Sequence, residues 1–170
     1  VLANGKWVKI AITETGIYKI DFNLLQEMGF DVASLDPRQL AVFGNGGRML
    51  PESNNAERID DLFENAIMVK GENDGHFDVD DALYFYGEST MQWQWQNNRF
   101  VHQIHYYSDT NFYFLTVLDR QGKRVGARNE PAGLPQKETT HYLRHLVHER
   151  DLVNLILSGK EWYGEELTNS

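Results

Sequence analysis

The segment that decides the fold class is Trp7-Val8-Lys9-Ile10-Ala11-Ile12, in which every second residue from Val8 is aliphatic. An alternation of period two places these side chains on one face of a β-strand. The loop Thr13-Glu14-Thr15-Gly16 follows. We predict that Ile17 to Ile20 returns as the second strand of a hairpin, with Gly16 free to adopt a positive φ at the turn.

Short apolar segments separated by turn residues continue along the chain. Asp21 is a good N-cap, and Phe22, Leu25 and Met28 have helical spacing, so a short helix is predicted there, ending at Gly29. We predict further strands at Leu40–Phe43, Ala66–Val69, Leu83–Tyr86, Phe100–Tyr107, Phe112–Leu118 and Thr139–Glu149, the last of which fits a strand better than a helix. About eight short strands with one short helix indicate a mainly β, β-sandwich-like domain.

Composition suggests three parts. Residues 1–120 form the predicted β-rich core domain. Residues 121–138 are polar and rich in Gly and Pro, and are predicted to be a loop or linker. Residues 139–170 hold the predicted C-terminal strand and a segment leading out of the domain. The chain begins at Val1 rather than Met, and we expect it to be part of a longer protein.

Charge and composition exclude several classes of function. The 170 residues carry a net charge of -9, which argues against nucleic acid as a partner because phosphate binding needs clustered Lys and Arg. No apolar run approaches the roughly 20 residues that span a bilayer, so we predict no membrane insertion. The chain contains no cysteine, so it has no disulfide, no thiolate metal site and no cysteine nucleophile.

Gly44-Asn45-Gly46-Gly47 is a glycine-rich loop after a predicted strand. Such loops bind phosphates when their N–H groups lead into a helix. The dinucleotide pattern fails because Met49 occupies the place of its last glycine, and Pro51 opposes a helix. We therefore interpret the loop as a plain turn.

The segment from Glu72 to Asp81 is the acidic candidate site. Calcium needs several carboxylate oxygens and a glycine at the turn, and Asp74, Asp78 and Asp81 supply the carboxylates around Gly75. Lys70 occupies the first ligand position of an EF-hand, so this is not one. We predict a solvated acidic turn and no cofactor, with a looser calcium turn as the alternative.

Three histidines, His141, His145 and His148, lie close together in the sequence. On a helix they would share one face, as a zinc site requires, whereas on a strand His148 points away from the other two. The spacing leaves their role open between a metal site and surface histidines.

Trp93 and Trp95 are separated by one residue, so on a strand both indoles lie on the same face. If buried, they pack in the core or at a domain interface, which is the interpretation we favour. If exposed, they form a platform that stacks on sugar rings or on a partner surface.

Several segments in this order resemble the N-terminal region of PorU, the gingipain-like cysteine peptidase that acts as the sortase of the type IX secretion system of Bacteroidetes. The segments are Gly5–Ile10, Thr15–Ile20, Val42–Gly47, Asp61–Asn65, Asp74–Asp78, Tyr84–Gly87, Tyr107–Leu115, His148–Asn154 and Ser158–Glu165. The resemblance implies an exported protein at the outer membrane or cell surface. It also implies a downstream peptidase domain with a His-Cys pair, into which residues 139–170 lead.

We therefore expect a non-catalytic, N-terminal accessory or interaction module of such a peptidase. Its expected partners are the downstream peptidase domain and other secretion-system proteins. The alternative is a β-sandwich that binds carbohydrate or another surface ligand through Trp93 and Trp95. An enzyme in its own right is the third possibility, and it would need histidine or carboxylate groups to converge on one cleft.

Overall fold

The computed structural model describes residues 1–128, 133, 137–142, 146–148, 150–157 and 161–167. The chain divides into two compact units, Val1–Gly126 and Ala127–Ser170. All the helices and strands named below belong to the first unit.

The first unit is mainly β, which confirms the predicted fold class. Its regular elements, counted over the described residues, are nine strands, one α-helix and two short 3-10 helices. The strands are β1 (Trp7–Ile12), β2 (Gly16–Asp21), β3 (Leu40–Phe43), β4 (Glu64–Asn65), β5 (Ile67–Lys70), β6 (Ala82–Gly87), β7 (Gln92–Gln96), β8 (Arg99–Gln103) and β9 (Asn111–Val117). The α-helix α1 is Phe22–Glu27, and the 3-10 helices are Pro37–Gln39 and Glu72–Asp74.

The strands form antiparallel sheets, in the orders β1-β9-β3-β4, β2-β6-β5 and β7-β8. Strand β9 is central to the four-stranded sheet: Leu115 pairs with Val8 on one side and with Val42 on the other. The hydrophobic core joins side chains of both larger sheets and of α1. For example, the rings of Phe85 in β6 and Tyr113 in β9 lie 5.3 Å apart between centroids. The two larger sheets thus share one core.

The predicted hairpin of β1 and β2 is wrong, although both strands exist. β1 pairs with β9 and β2 pairs with β6, so the chain crosses from one sheet to the other through the loop before Gly16. Gly16 itself pairs with Gly87 and is not among the glycines with positive φ. The two strands lie in different sheets because this arrangement buries apolar side chains of both. Ile12 of β1 and Ile20 of β2 belong to the same core, to which both sheets contribute.

Helix α1 forms where it is predicted. The Asp21 carboxylate accepts the N–H of Leu24 at 3.1 Å, which caps the first turn. Gly29 follows the helix with φ +81°, a conformation that a glycine adopts at low cost. Leu25 is fully buried, so the helix is held by its packing on the core rather than by its length.

The polar stretch after β9 begins as part of the first unit. The N–H groups of Gly122 and Val125 donate to backbone carbonyls of the domain. The Arg124 guanidinium pairs with the Glu72 carboxylate at 2.8 Å, and it also donates to the carbonyls of Pro37, Arg38 and Leu40. These contacts attach the first residues of the predicted linker to the domain.

In the second unit, Val153 and Tyr163 exchange two backbone hydrogen bonds, of 3.0 and 2.8 Å. The predicted strand Thr139–Glu149 is not seen at its described residues, 139–142 and 146–148, which carry no helix or strand. The other residues of that stretch lie outside the described part.

Candidate functional site

The acidic loop between β5 and β6 uses its carboxylates on its own backbone. Asp74 Oδ1 accepts the N–H of His76 at 3.0 Å, and Asp81 Oδ2 accepts the N–H of Asp78 at 2.8 Å. Asp81 is only 8% exposed. Gly71 has φ +93°, and a Cβ there would collide with the Asp81 carboxylate. Asp81 is therefore a structural residue of the loop, and its carboxylate caps the backbone N–H of Asp78.

The three predicted calcium ligands, Asp74, Asp78 and Asp81, do not converge. Asp74 and Asp78 are exposed, whereas Asp81 is buried. Over the ranges that the structure describes, no group of three or more His, Cys, Asp or Glu side chains is placed to hold a metal ion. The solvated acidic turn stays our prediction and calcium binding its untested alternative, which the contacts of the loop do not support.

The histidines are separated in their contacts. His148 Nε2 lies 3.0 Å from Glu165 Oε1, and the ring of His141 lies 3.0 Å from the Thr140 hydroxyl. His145 lies outside the described residues. The pKa of Glu165 is lowered by its own backbone N–H and by the His148 hydrogen bond. The two described histidines thus have partners of their own.

Trp93 and Trp95 lie on one face of the β7-β8 hairpin, as the sequence predicts. The hairpin turns at Asn97 and Asn98, whose φ angles are both positive, at 50° and 61°. On the same face, Trp93 pairs edge-on with His102 and Trp95 with Phe100, with centroids 5.1 and 4.8 Å apart.

These two indoles are 43% and 60% exposed, so they are not part of the core. The opposite face of the hairpin carries Gln92 and Gln94, which line a small cavity together with Arg48 and Met49. The glutamine face is therefore turned to the domain and the tryptophan face to its surface. Such an arrangement favours a platform or a partner interface over core packing.

A cleft of about 230 Å³ opens beside the glycine loop at the end of β3. Gly46 has a positive φ of +76°, and the glycines of this loop leave open space beside it; the plain turn stays a prediction. A Cβ on Gly44 would lie 2.5 Å from the Tyr113 ring, and one on Gly46 would lie 2.7 Å from Glu88 Oε2. The rings of Phe63 and Tyr86, 60% and 56% exposed, line the same cleft.

Glu88 is fixed in this cleft by its backbone. Its N–H donates to the Tyr113 hydroxyl at 2.8 Å, and its carbonyl accepts the Asn111 side-chain amide at 2.7 Å. The pKa of Tyr113 is raised by burial of the phenol and also by the Glu88 charge. Within the described part of the chain, no side chain forms an ion pair with the Glu88 carboxylate.

Asn45 holds the Phe63 side of the cleft in place. Its amide donates to the Asp61 carbonyl at 3.0 Å and accepts the N–H of Phe63 at 2.9 Å. Sequence reasoning found the glycine loop but not the cleft, because Phe63, Glu88 and Tyr113 are far apart in the chain and form no motif. The only signal was the Gly-Asn-Gly cluster.

The fold and these sites define a mainly β module that, having no cysteine, cannot hold a cysteine nucleophile. No family model matches the chain, and no curated protein matches its sequence. Among solved structures, it is similar to the crystal structure of dimeric latent PorU from Porphyromonas gingivalis, with a TM-score of 0.55 and 29% sequence identity.

The match covers 77% of this chain but 11% of the PorU chain. The chain is thus similar to one part of PorU and spans about a tenth of its length.

Among the described residues, the helices are too short and too polar to cross a bilayer.

Proposed function

We propose that the chain is a non-catalytic, N-terminal accessory module of a PorU-like cysteine peptidase of the cell surface that takes part in type IX secretion. The similarity to one part of PorU carries this proposal. The absence of cysteine supports the non-catalytic role, because a cysteine peptidase needs a thiolate as its nucleophile. The catalytic His-Cys pair would then belong to another domain of an exported protein at the outer membrane or cell surface.

The outer face of the β2-β6-β5 sheet is where we place the contact with the downstream peptidase domain. Ile17, Tyr86 and Met68 point away from the core and are exposed. Contiguous exposed apolar side chains on a sheet are typical of surfaces that another domain or protein covers. Other secretion-system proteins are the second class of partner for this face.

The first test is the coding sequence after Ser170. A domain with a His-Cys pair is expected there, whereas a stop codon or a glycanase domain contradicts the proposal. The second test mixes the 170-residue chain with that downstream region and measures their association by calorimetry. Ile17→Asp is expected to weaken association by at least about tenfold, since it places a charge in an apolar interface. The control Val79→Asp, at an exposed residue of the acidic loop, is expected to have no effect.

The exposed tryptophan face supports a second candidate function, the binding of carbohydrate or another surface ligand. Trp93 and Trp95 offer adjacent indoles at the surface, as sugar-stacking sites do. Titration of a panel of soluble oligosaccharides, followed by tryptophan fluorescence, tests this function. Binding that is lost in Trp95→Ala but kept in Tyr107→Ala, an exposed aromatic outside the hairpin, would support it. Absence of any saturable response would reject it.

A further inference from the structure

The cleft beside the glycine loop carries a separate inference, which shares one residue, Tyr86, with the sheet face proposed above as the contact with the peptidase domain. It brings together three features from distant parts of the chain: the Glu88 carboxylate, the exposed rings of Phe63 and Tyr86, and the bare backbone of the Gly44–Gly46 loop. None of the described side chains neutralises Glu88 by an ion pair.

We propose that this cleft is a binding site for an arginine side chain of a peptide or protein partner. A guanidinium group is planar and cationic, so its flat face stacks on aromatic rings while its edge donates two hydrogen bonds to a carboxylate. Tyr86 and Phe63 provide the rings and Glu88 provides the carboxylate. The three groups line one space of about 230 Å³, which a single side chain reaches.

The charge in the cleft excludes other ligand classes. An anion would face the Glu88 carboxylate in a protein whose net charge is already -9. A purely apolar group would remove water from a partly buried carboxylate without replacing its hydrogen bonds, which is costly. A cation that also stacks on aromatic rings pairs with the Glu88 carboxylate and covers the rings of Phe63 and Tyr86.

The cleft is held in shape before any ligand arrives. Two hydrogen bonds fix the Glu88 backbone: its carbonyl accepts the Asn111 side-chain amide, and its N–H donates to the Tyr113 hydroxyl. The Asn45 side-chain oxygen accepts the N–H of Phe63 and fixes the backbone there. The glycines keep the opening clear, since a Cβ on Gly46 would lie 2.7 Å from Glu88 Oε2. A preformed site loses little conformational freedom on binding, which favours even a single side chain.

The test is an NMR titration of the ¹⁵N-labelled 170-residue chain with Nα-acetyl-arginine amide. Its matched control probe is Nα-acetyl-citrulline amide, which has nearly the same shape but no charge. We expect saturable shifts of the Gly44, Gly46 and Glu88 amide signals with the arginine probe, and binding weaker by at least about tenfold with the citrulline probe.

Variants show whether the Glu88 carboxylate is responsible for binding the arginine probe. Glu88→Gln is expected to weaken binding of the arginine probe at least about tenfold, whereas Glu27→Gln, at the exposed end of α1, is expected to leave it unchanged. The rest of the Glu88→Gln spectrum checks that the fold is intact. Equal binding of both probes, equal binding by Glu88→Gln, or no saturable shift would overturn the proposal.

Discussion

The acidic loop and the Glu88 cleft present negative charge in opposite ways. In the loop, the side chains of Asp74 and Asp81 accept N–H groups of their own segment. In the cleft, the backbone of Glu88 is hydrogen bonded, while its carboxylate lies beside two exposed aromatic rings. A high density of acidic residues in the sequence therefore does not locate a binding site. What matters is whether the carboxylate oxygens are already in use within the fold.

The largest expected effect comes from closing the space that the loop leaves for Asp81. Gly71→Ala places a Cβ against the Asp81 carboxylate at φ +93°, a conformation that a non-glycine residue rarely adopts. We expect the free energy of unfolding to fall by about 3 kcal/mol. Gly16→Ala is the control, since no heavy atom lies within 4 Å of its added Cβ. Equal urea midpoints for the two variants would show that Asp81 is not a structural cap.

Arg124 ties the segment after β9 to the start of the acidic loop. Its ion pair with Glu72 is mostly buried, so Arg124→Met leaves a carboxylate and three carbonyls with fewer partners. We expect a loss of about 2 kcal/mol in the free energy of unfolding. Arg120→Met removes a more exposed pair, with Glu64, and is expected to cost less than about 1 kcal/mol. A larger loss of stability for Arg120→Met than for Arg124→Met in chemical denaturation would contradict this comparison.

Acid is expected to weaken the fold through Glu64. Burial alone would raise the pKa of Glu64, but Arg120 and the Lys123 N–H outweigh it, so its pKa lies below the ordinary value of 4.5. Its stabilising effect is therefore complete above that ordinary value and is lost as the pH falls through the lowered pKa. We expect the stability difference between the wild type and Glu64→Gln, below about 1 kcal/mol near neutral pH, to shrink in acid. A difference that stays constant down to about pH 3 would contradict this reasoning.

Calcium is expected to have the smallest effect. If Asp74, Asp78 and Asp81 bound the ion, a hundredfold excess over its dissociation constant would stabilise the fold by about 2.7 kcal/mol. We expect the melting temperature to stay constant, because two of these carboxylates already accept backbone N–H groups. A rise in melting temperature with calcium that disappears in Asp74→Ala would show that the loop binds it.

The sequence predicts the local structure of the fold better than its strand pairing. The alternation in Trp7–Ile12 and the Asp21 N-cap depend on neighbouring residues, and both elements form where they are predicted. The partner of β1 is β9, about a hundred residues later, and no local pattern encodes that choice. Strand β4 has only two residues and no apolar alternation, so no local pattern predicts it.

The cleft could not be predicted for the same reason. Phe63 directly precedes β4, Glu88 directly follows β6 and Tyr113 lies in β9, so these residues meet only through the tertiary fold. The spacing of Trp93 and Trp95 correctly predicts a shared face, but exposure depends on what the opposite face of the hairpin covers. The periodicity of a strand shows which side chains share a face, whereas the tertiary structure decides which of these faces is exposed to solvent.

The most direct test of the contrast between the two regions is the urea denaturation of two matched truncations, Asp81→Ala and Glu88→Ala. Asp81→Ala leaves the Asp78 N–H without its acceptor in a partly buried loop, so we expect a loss of about 1–3 kcal/mol. Glu88→Ala removes a carboxylate that the fold does not use, so we expect a change within about 0.5 kcal/mol. Equal losses, or a larger loss for Glu88→Ala, would show that Glu88 is structural and would contradict the account.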